Sequence, residues 1–286
     1  MLIKEICEIR KVIKDWKKEG LSIGYVPTMG FLHEGHESLI KKAVKENDRV
    51  IVSIFVNPTQ FGPNEDYDSY PRDINKDLEL CKNAGASIVF NPSCDEMYFD
   101  NKSTSICVSG LTNVLCGLKR PGHFDGVCLV FSKFFNIITP DRAYFGQKDA
   151  QQVAVIKRMV RDLNMDIEIV PCPIIREEDG LAKSSRNTYL SQKERNAALI
   201  LNRSLLKAKE TLENGETLEN GERKANIVKN IIKDSINSEQ LAKIDYVELV
   251  DNNSLENIEF IDREILVAIA VYIGKTRLID NFTFSI

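Results

Sequence analysis

The sequence predicts an α/β protein, with a doubly wound parallel sheet followed by a smaller C-terminal α+β domain. Apolar strand-like runs alternate with amphipathic helical segments up to about residue 175, which is typical of a parallel sheet with helices on both faces. Near residue 176 the alternation stops at a polar loop, REEDGLAKSSRNTYLS. A chain of 286 residues is also long for one domain. We therefore predict two domains, residues 1–175 and residues 176–286.

The first predicted domain opens with an amphipathic helix. Ile6, Ile9, Ile13 and Trp16 recur at helical spacing, and Gly20 ends the helix. The predicted strands that follow are LSIGYVPTMG, RVIVSIFVN, ASIVFNP, RAYFG and DIEIVP. Between them, one predicted helix carries Leu39, Ile40, Ala43 and Val44, and three others span roughly 73–84, 126–138 and 149–163. The run RVIVSIFVN is almost wholly apolar, as in a strand buried on both faces.

The tail predicts helices followed by antiparallel strands. Ser191 and Glu194 have the spacing of a capping box that opens a long helix. A tandem duplication, ETLENG at 210–221, predicts a frayed helix end and a surface turn without a catalytic role. A second helix is predicted at roughly 222–237, before KIDYVELVD, EILVAIAVYIG and TRLIDNFTF. The last two runs, joined at Gly274 and Lys275, predict a hairpin.

The composition excludes several classes of function. The net charge is −4, from 38 basic and 42 acidic residues, so no nucleic-acid surface is expected. No apolar run approaches the length of a membrane span, and the charged, helically spaced N-terminus does not resemble a signal peptide. The seven cysteines are widely spaced and form no CxxC motif, which indicates reduced thiols and a cytoplasmic location.

Two of the three histidines lie together in the segment PTMGFLHEGH, where the first strand turns into a helix. The free N–H groups and positive end of a helix favour a phosphate, and Gly30 and Gly35 let the backbone approach a ligand. His33 and His36 are three residues apart and share one helix face. Their imidazoles could donate hydrogen bonds to phosphate oxygens and stabilise charge that develops during displacement at phosphorus.

Other interpretations of this pair remain open at this stage. A zinc site needs three or four ligands, and His123 is the only other histidine. The two histidines could also be without functional consequence. Neither the dinucleotide-binding motif GxGxxG nor the P-loop motif GxxxxGK(S/T) occurs, so a nucleotide would be bound by a different motif. Taken alone, VNPTQ is also compatible with an ordinary strand exit, Lys148 and Asp149 with a solvated helix start, and KSSR with a basic loop.

Six segments carry a resemblance to a known family. PTMGFLHEGH, FVNPTQFGPNEDYDSYPR, KRPGHFDGV, AYFGQKDAQQ, REEDGLAKSSRN and TRLIDN occur in this order and span about residues 24–282. Together they resemble the pantoate–β-alanine ligases, also called pantothenate synthetases, adenylate-forming members of the HxGH nucleotidyltransferase superfamily. The resemblance implies a Rossmann-like domain that binds nucleotide and pantoate, a C-terminal lid domain, a cytosolic homodimer, and Mg²⁺-ATP as substrate.

The resemblance also implies a two-step reaction. The carboxylate of (R)-pantoate would attack the α-phosphorus of ATP and release pyrophosphate, and the amine of β-alanine would then displace AMP from pantoyl adenylate. The substrates supply both nucleophiles, which fits a sequence with no GxSxG and no convincing Cys-His pair. Catalysis would then rest on positioning and charge stabilisation.

The resemblance assigns roles residue by residue. His36 is the expected proton donor, His33 and Lys148 would contact phosphate, and Arg186 would bind the polyphosphate. The residues expected at ATP are Pro27, Thr28, Met29, Gly30, Phe31, Leu32, His33, Glu34, Gly35, His36, Gly146, Gln147, Lys148, Asp149, Ile175, Lys183, Ser184, Ser185 and Arg186. The residues expected at pantoate and β-alanine are Asn57, Gln60, Arg120 and Gln152. His123 is expected to be structural, and no protein metal ligands are assigned.

One position departs from the family pattern. Lys183 stands where many relatives carry Met or Leu, so this side chain could pack on adenine or reach a phosphate.

Two functions other than the ligase are also compatible with parts of the sequence. One is nucleotidyl transfer to another acceptor without an acyl-transfer step, which Gln60 and the GQKDAQQ segment disfavour. The other is a non-catalytic nucleotide-binding or metal-binding module.

Overall fold

The computed structural model describes residues 1–63, 65–215, 218–219 and 222–286. The chain divides into two compact units. The first comprises residues 1–109, 120–147 and 152–174, and the second comprises residues 110–119, 148–151 and 175–286. The two short internal segments of the second unit were not anticipated. The predicted roles of residues 1–175 and 176–286, as a nucleotide- and pantoate-binding domain and a lid, stay predictions.

Helices and strands follow each other in this order. Up to residue 172 they are β1 Leu2–Ile3, α1 Ile6–Lys18, β2 Ile23–Thr28, α2 Glu34–Glu46, β3 Arg49–Ile54, α3 Ile74–Asn83, β4 Ile88–Phe90, α4 Cys94–Met97, α5 Leu115–Lys119, α6 His123–Ile138, β5 Arg142–Gly146, α7 Ala150–Asp162 and β6 Glu168–Cys172. The remainder are α8 Gln192–Ala197, α9 Leu199–Glu213, β7 Leu218–Glu219, β8 Glu222–Arg223, α10 Ala225–Asn237, β9 Ala242–Asp251, β10 Ile265–Ile273 and β11 Thr276–Phe284. Short 3-10 turns lie at Pro58–Gln60, Gln147–Asp149 and Ser185–Tyr189.

The first unit contains a six-stranded parallel sheet with the order β1-β4-β3-β2-β5-β6. From β2 the chain builds outward through β3 and β4, and it then crosses to the other side of β2 to form β5 and β6. The strand order therefore reverses between β2 and β5. In doubly wound sheets, ligands bind at the carboxyl ends of the strands at such a point. The predicted fold of this unit is confirmed.

The central strands are buried on both faces because their residues are apolar at almost every position. Val26, Val50 and Val52 face a core that also contains Leu39 and Ile40 of α2. Buried polar groups pair with one another inside the sheet: the Tyr25 hydroxyl lies 2.8 Å from the Ser53 hydroxyl. Close packing together with such pairing makes the sheet a rigid base for the loops at its carboxyl edge.

The predicted elements of the first unit are found, with shifted ends. Strand β3 stops at Ile54 rather than 57, because Asn57 turns the chain into a 3-10 turn beginning at Pro58. Helix α6 begins at His123 rather than 126, after Gly122 in a left-handed conformation with φ 78°. The extra turn buries Phe124, which is 4% exposed. In both places, tertiary packing rather than the local sequence pattern sets where the strand or helix ends.

The second unit contains a three-stranded antiparallel sheet in the order β11-β10-β9. Leu201, Leu205 and Leu212 of α9 share a core with Val228 and Ile232 of α10 and with residues of β10. The predicted capping box is confirmed, since Ser191 and Glu194 satisfy each other's backbone N–H groups, but it opens the six-residue helix α8, and the long helix α9 begins separately at Leu199. The predicted hairpin is also confirmed: Ile273 pairs with Thr276 across a turn at Gly274, where φ is 58°.

Three further predictions concern the whole chain. All seven cysteines are free thiols, as expected. No helix in the described ranges is both long and apolar enough to span a bilayer. The predicted frayed helix end and turn at 210–221 fall partly outside the described residues, and within them α9 ends at Glu213.

Candidate active site

Three predicted motifs of the first unit lie at one edge of its sheet. The segment that contains His33 and His36 follows β2, Asn57 and Gln60 follow β3, and Gly146 ends β5. Strands β3, β2 and β5 are neighbours and parallel, so their carboxyl ends open on the same edge. This edge includes the point where the strand order reverses, where an α/β sheet offers a ligand site.

The turn after β2 is held in an unusual backbone conformation. Gly30 has φ 86° and Phe31 has φ 51°, a region that costs energy for a residue with a side chain. The carboxylate of Asp77 on α3 compensates by accepting the N–H groups of Phe31 at 2.9 Å and Leu32 at 2.7 Å. A Cβ at Gly30 would lie 3.0 Å from that carboxylate. Sequence reasoning missed Asp77, which appears there as one more charge on a helix.

Asp77 is only 2% exposed. Burial raises the pKa of its carboxyl above the ordinary value, although the two backbone N–H groups act in the opposite direction. Burying a carboxylate costs stability, and hydrogen bonds offset that cost only in part. The turn explains why this carboxylate is buried. Asp77 accepts the two backbone N–H groups and so fixes the conformation of the turn next to the two histidines.

His33 and His36 form the first turn of α2 and cap it. His33 is the N-cap residue, and its Nδ1 accepts the N–H of Gly35 at 3.1 Å. Nδ1 of His36 accepts the N–H of His33 at 3.3 Å, and the ring centroids are 4.1 Å apart. A ring nitrogen that accepts has no proton, so each neutral imidazole carries its proton on Nε2. Two Nε2–H donors therefore stand at the positive end of a helix, a combination suited to an anion.

The turn after β3 gives the side-chain amides of Asn57 and Gln60 different surroundings. Asn57 is 1% exposed, and its amide is occupied by protein groups: Nδ2 donates to Gln60 Oε1 and to the carbonyl of Gly126, and Oδ1 accepts from Thr59 and Tyr98. The expectation that Asn57 contacts pantoate stays a prediction; in this structure both ends of its amide are bonded to protein groups. Gln60 is the member of the pair whose amide N–H₂ points toward Met29 Sδ, at 3.0 Å.

Arg120 and His123 enclose the other side of Gln60. Arg120 forms a two-pronged ion pair with Glu65, with its Nε 2.6 Å from Oε1. His123 Nδ1 donates to the backbone carbonyl of Gln60 at 2.7 Å, so its Nε2 carries no proton and accepts from Arg120 Nη1 at 3.0 Å. Burial opposes ionisation of Glu65, but the hydrogen bonds and charge of Arg120 lower the net pKa of its carboxyl. The expected structural role of His123 agrees with these contacts.

The two glutamines at the start of α7 have different surroundings. Gln151 is buried, and its amide holds the 110–117 segment by donating to the carbonyls of Leu111 and Val114 and accepting the N–H of Cys116. Gln152, the residue expected at pantoate, is half-buried one position later in the helix. Gly146 and Gln147 are half-buried at the carboxyl end of β5.

Several predicted nucleotide residues belong to the second unit, where they lie close together. Lys148 Nζ is 3.5 Å from the carbonyl of Lys183, and Lys183 forms an ion pair with Glu177 at 2.9 Å. Ser184 caps the next 3-10 turn by accepting the N–H of Arg186 at 3.3 Å. Lys183 N–H also donates to the carbonyl of Ile175. Ser185 is buried, Arg186 is half-buried and Asp149 is exposed.

A carboxylate that sequence reasoning did not single out holds this loop. Arg176, at the start of REEDGLAKSSRN, forms two hydrogen bonds with Asp280 of TRLIDN, at 2.6 and 2.9 Å. The Asp280 side chain is 1% exposed. Arg176 also donates to the carbonyl of Gly180. Two separated motifs of the sequence are therefore one structural unit, joined by a contact that local sequence did not indicate.

Comparison with known proteins decides the family. A family model described as pantoate-beta-alanine ligase matches residues 1–283. The chain belongs to the pantoate–β-alanine ligase family. The family named from six sequence segments, and the prediction of an enzyme, are thereby confirmed.

Similar proteins agree over the full length of this ligase. It is 67% identical to the pantothenate synthetase of Clostridioides difficile and 63% identical to that of Enterococcus faecalis, covering all of this chain and 99% of each relative. The crystal structure of pantothenate synthetase from Thermus thermophilus matches with a TM-score of 0.91 at 39% identity over 98% of both chains. A ligase from Francisella tularensis, complexed with beta-gamma ATP and β-alanine, matches with a TM-score of 0.77 at 37% identity, covering 99% of this chain and 97% of that one. These likenesses support the ligase and not the nucleotidyltransferase alternative.

Proposed function

We infer that the chain condenses (R)-pantoate with β-alanine, consuming ATP and forming pantothenate, AMP and pyrophosphate. The family match over residues 1–283 carries the overall reaction. The Francisella relative in complex with beta-gamma ATP and β-alanine supports the same pair of substrates. The geometry of the turn after β2 supports a first step at phosphorus, since it presents N–H donors where an anion would bind.

In the first step, an oxygen of the pantoate carboxylate bonds to the α-phosphorus of ATP as the bond to pyrophosphate breaks. Negative charge grows on the phosphate oxygens, and donors already in place stabilise it without reorganisation. We assign this role to His33 and His36, whose Nε2–H groups are fixed by their Nδ1 capping bonds. His36 is the proposed proton donor: its Nε2–H is proposed to hydrogen-bond the leaving pyrophosphate oxygen as that oxygen gains charge. No protein nucleophile takes part, since the carboxylate attacks directly.

In the second step, the free amine of β-alanine attacks the acyl carbon of pantoyl adenylate, AMP leaves with the bonding electrons, and the amine gives up one proton to solvent. Gln60 and Gln152 are the proposed pantoate contacts. Arg120 is proposed to act at the same substrate, although its guanidinium also forms the ion pair with Glu65. Lys148, Ser184, Ser185 and Arg186 are the proposed phosphate contacts, and Gly146 and Asp149 are proposed to meet ribose or adenine. Gln147, Ile175 and Lys183 are proposed to line the ATP site.

Mg²⁺ enters this proposal as part of the substrate Mg²⁺-ATP. In the described ranges of the chain, no group of three or more His, Cys, Asp or Glu side chains could hold a metal ion. Mg²⁺ keeps several waters and often binds through substrate phosphates rather than an all-protein cage. When bound, the ion would neutralise charge on the leaving pyrophosphate. A cytoplasmic location and a homodimer complete the proposal, on the strength of the family resemblance.

Omission of the amine tests the proposal. Purified protein with Mg²⁺-ATP and pantoate alone should release pyrophosphate once per active site and then stall, because pantoyl adenylate remains bound. Addition of β-alanine should restore turnover and produce AMP and pantothenate in equal amounts. Sustained pyrophosphate release that β-alanine leaves unchanged, with no amide formed, would favour nucleotidyl transfer to another acceptor.

A further inference from the structure

The two ends of the Gln60 amide have different surroundings. Oε1 accepts a hydrogen bond from Asn57 Nδ2 at 3.2 Å, whereas Nε2 lies 3.0 Å from the sulfur of Met29. A thioether is a weak acceptor, so the N–H₂ group can exchange this contact for a substrate oxygen with little loss. Met29 belongs to the turn after β2, next to the proposed phosphate donors. Gln60 is 9% exposed, so the orientation of its side chain is set by these neighbours.

Backbone groups decide which way the Asn57 amide points. Its Oδ1 accepts the N–H of Thr59 at 3.3 Å, and its Nδ2 donates to the carbonyl of Gly126 at 3.1 Å. A backbone N–H can only donate and a carbonyl can only accept. Rotating the amide by 180° would place Nδ2 against the Thr59 N–H and Oδ1 against the Gly126 carbonyl. Two donors and two acceptors would then face each other in a buried place, which costs free energy. The remaining N–H of Asn57 therefore meets Gln60 as a donor.

The backbone of Gln60 is held as firmly as its side chain. Its carbonyl accepts from His123 Nδ1 at 2.7 Å and from Arg120 Nη2 at 3.3 Å. Glu65 keeps Arg120 in place through the two-pronged ion pair. Oε1 already accepts from Asn57, whereas Nε2 meets only a weak thioether acceptor, so Nε2 is the side-chain atom best placed to exchange its contact for a ligand.

We propose that Asn57 is a positioning residue that sets the polarity of the Gln60 amide, so that Gln60 meets pantoate only as a hydrogen-bond donor. This inference rests on the proposed function, in which Gln60 contacts pantoate. Gln60 then selects an oxygen that accepts, such as a carboxylate or hydroxyl oxygen, and disfavours a ligand that presents only a donor there. Asn57 acts through Gln60 and makes no contact of its own with substrate.

A double-mutant cycle tests this arrangement. Wild-type pyrophosphate release that depends on pantoate is measured first, because its absence overturns the proposed function and this inference with it. Gln60→Ala and Asn57→Asp should each lower kcat/KM for pantoate about tenfold or more while KM for ATP stays within about threefold. The double variant should be no worse than Gln60→Ala alone, since both changes remove the same donor. Losses that multiply would show that Asn57 contacts substrate independently and would overturn the inference.

Two further variants keep the test decisive if Asn57→Asp folds poorly. Gln60→Glu keeps an oxygen facing Asn57 but places a second oxygen where the donor stood. It should raise KM for pantoate more than Gln60→Ala does, and an unchanged KM would overturn the donor assignment.

Asn91→Asp is the matched control for Asn57→Asp, because it makes the same chemical change after β4, where Asn91 donates to the Ile54 carbonyl. Its KM for pantoate should stay within about threefold, and a rise as large as that of Asn57→Asp would show a general charge effect and overturn the inference.

Discussion

At the scale of single residues, the histidine pair combines a structural and a chemical function. The same Nδ1 atoms that cap α2 leave Nε2 as the only donor on each neutral ring. A helix N-cap contributes on the order of 1 kcal/mol, so replacing either histidine changes the helix start as well as the site. An experiment on these residues has to separate the two effects.

We expect His36→Ala to lower kcat about a hundredfold, the usual effect of losing one preorganised donor. His36→Gln is the matched control for the cap, since glutamine at this helix position can still accept the N-cap N–H. It should unfold at the wild-type temperature yet remain slower than wild type. Steady-state kinetics and thermal unfolding followed by circular dichroism measure both quantities. An unchanged kcat in His36→Ala would refute the role assigned to His36.

At the scale of elements, α6 packs directly on the 3-10 turn that carries Gln60. A Cβ at Gly126 would lie 2.1 Å from the Thr59 carbonyl oxygen and 2.7 Å from the Gln60 nitrogen. These are backbone atoms, which cannot move away as a flexible side chain can. Gly126 therefore permits a close approach of helix and turn, and the Gly126 carbonyl is also the acceptor that orients Asn57.

Gly126→Ala should therefore destabilise the protein. Replacing glycine inside a helix by alanine normally stabilises by up to about 1 kcal/mol, but overpacking against backbone costs about 1–3 kcal/mol. We expect a net loss in urea unfolding and a higher KM for pantoate. Gly20→Ala provides a comparison: nothing lies within 4 Å of its Cβ, and φ is 72°. It should lose stability through backbone strain without changing KM. A more stable Gly126→Ala protein would contradict the packing argument.

At the scale of the whole molecule, the Glu65–Arg120 ion pair makes the stability of the fold, and with it the support of the site, depend on pH in the acid range. The pKa of Glu65 is lowered in the folded state, so the carboxylate stabilises the fold at pH values above its unfolded pKa of about 4.3. This contribution is lost as the pH falls through the lower folded pKa. Acid should therefore loosen the support of Gln60 as part of global destabilisation.

Glu65→Gln should lower the free energy of unfolding at pH 6, and its difference from wild type should shrink as the pH is reduced below about 4. Urea unfolding at a series of pH values measures this difference. Glu19→Gln, a change at an exposed glutamate, should match the wild-type pH dependence more closely. A constant difference between Glu65→Gln and wild type across this range would contradict the linkage.

Local sequence was enough to predict the fold class, most of the longer strands and helices, the hairpin, the capping box and the family, but not β1, α4, α5 or the separation of α8 from α9. The predicted features follow from periodicity and from short segments whose residues act close together in the chain. The supports of the site, in contrast, depend on long-range contacts. Asp77 meets Phe31 from 46 positions away, Arg176 meets Asp280 from 104 positions away, and Asn57 meets Gly126 from 69 positions away. A contact between residues so far apart has no local signature, because the fold rather than the neighbouring sequence brings the two groups together. The role of Asn57 became visible only when the partners of both ends of its amide were known.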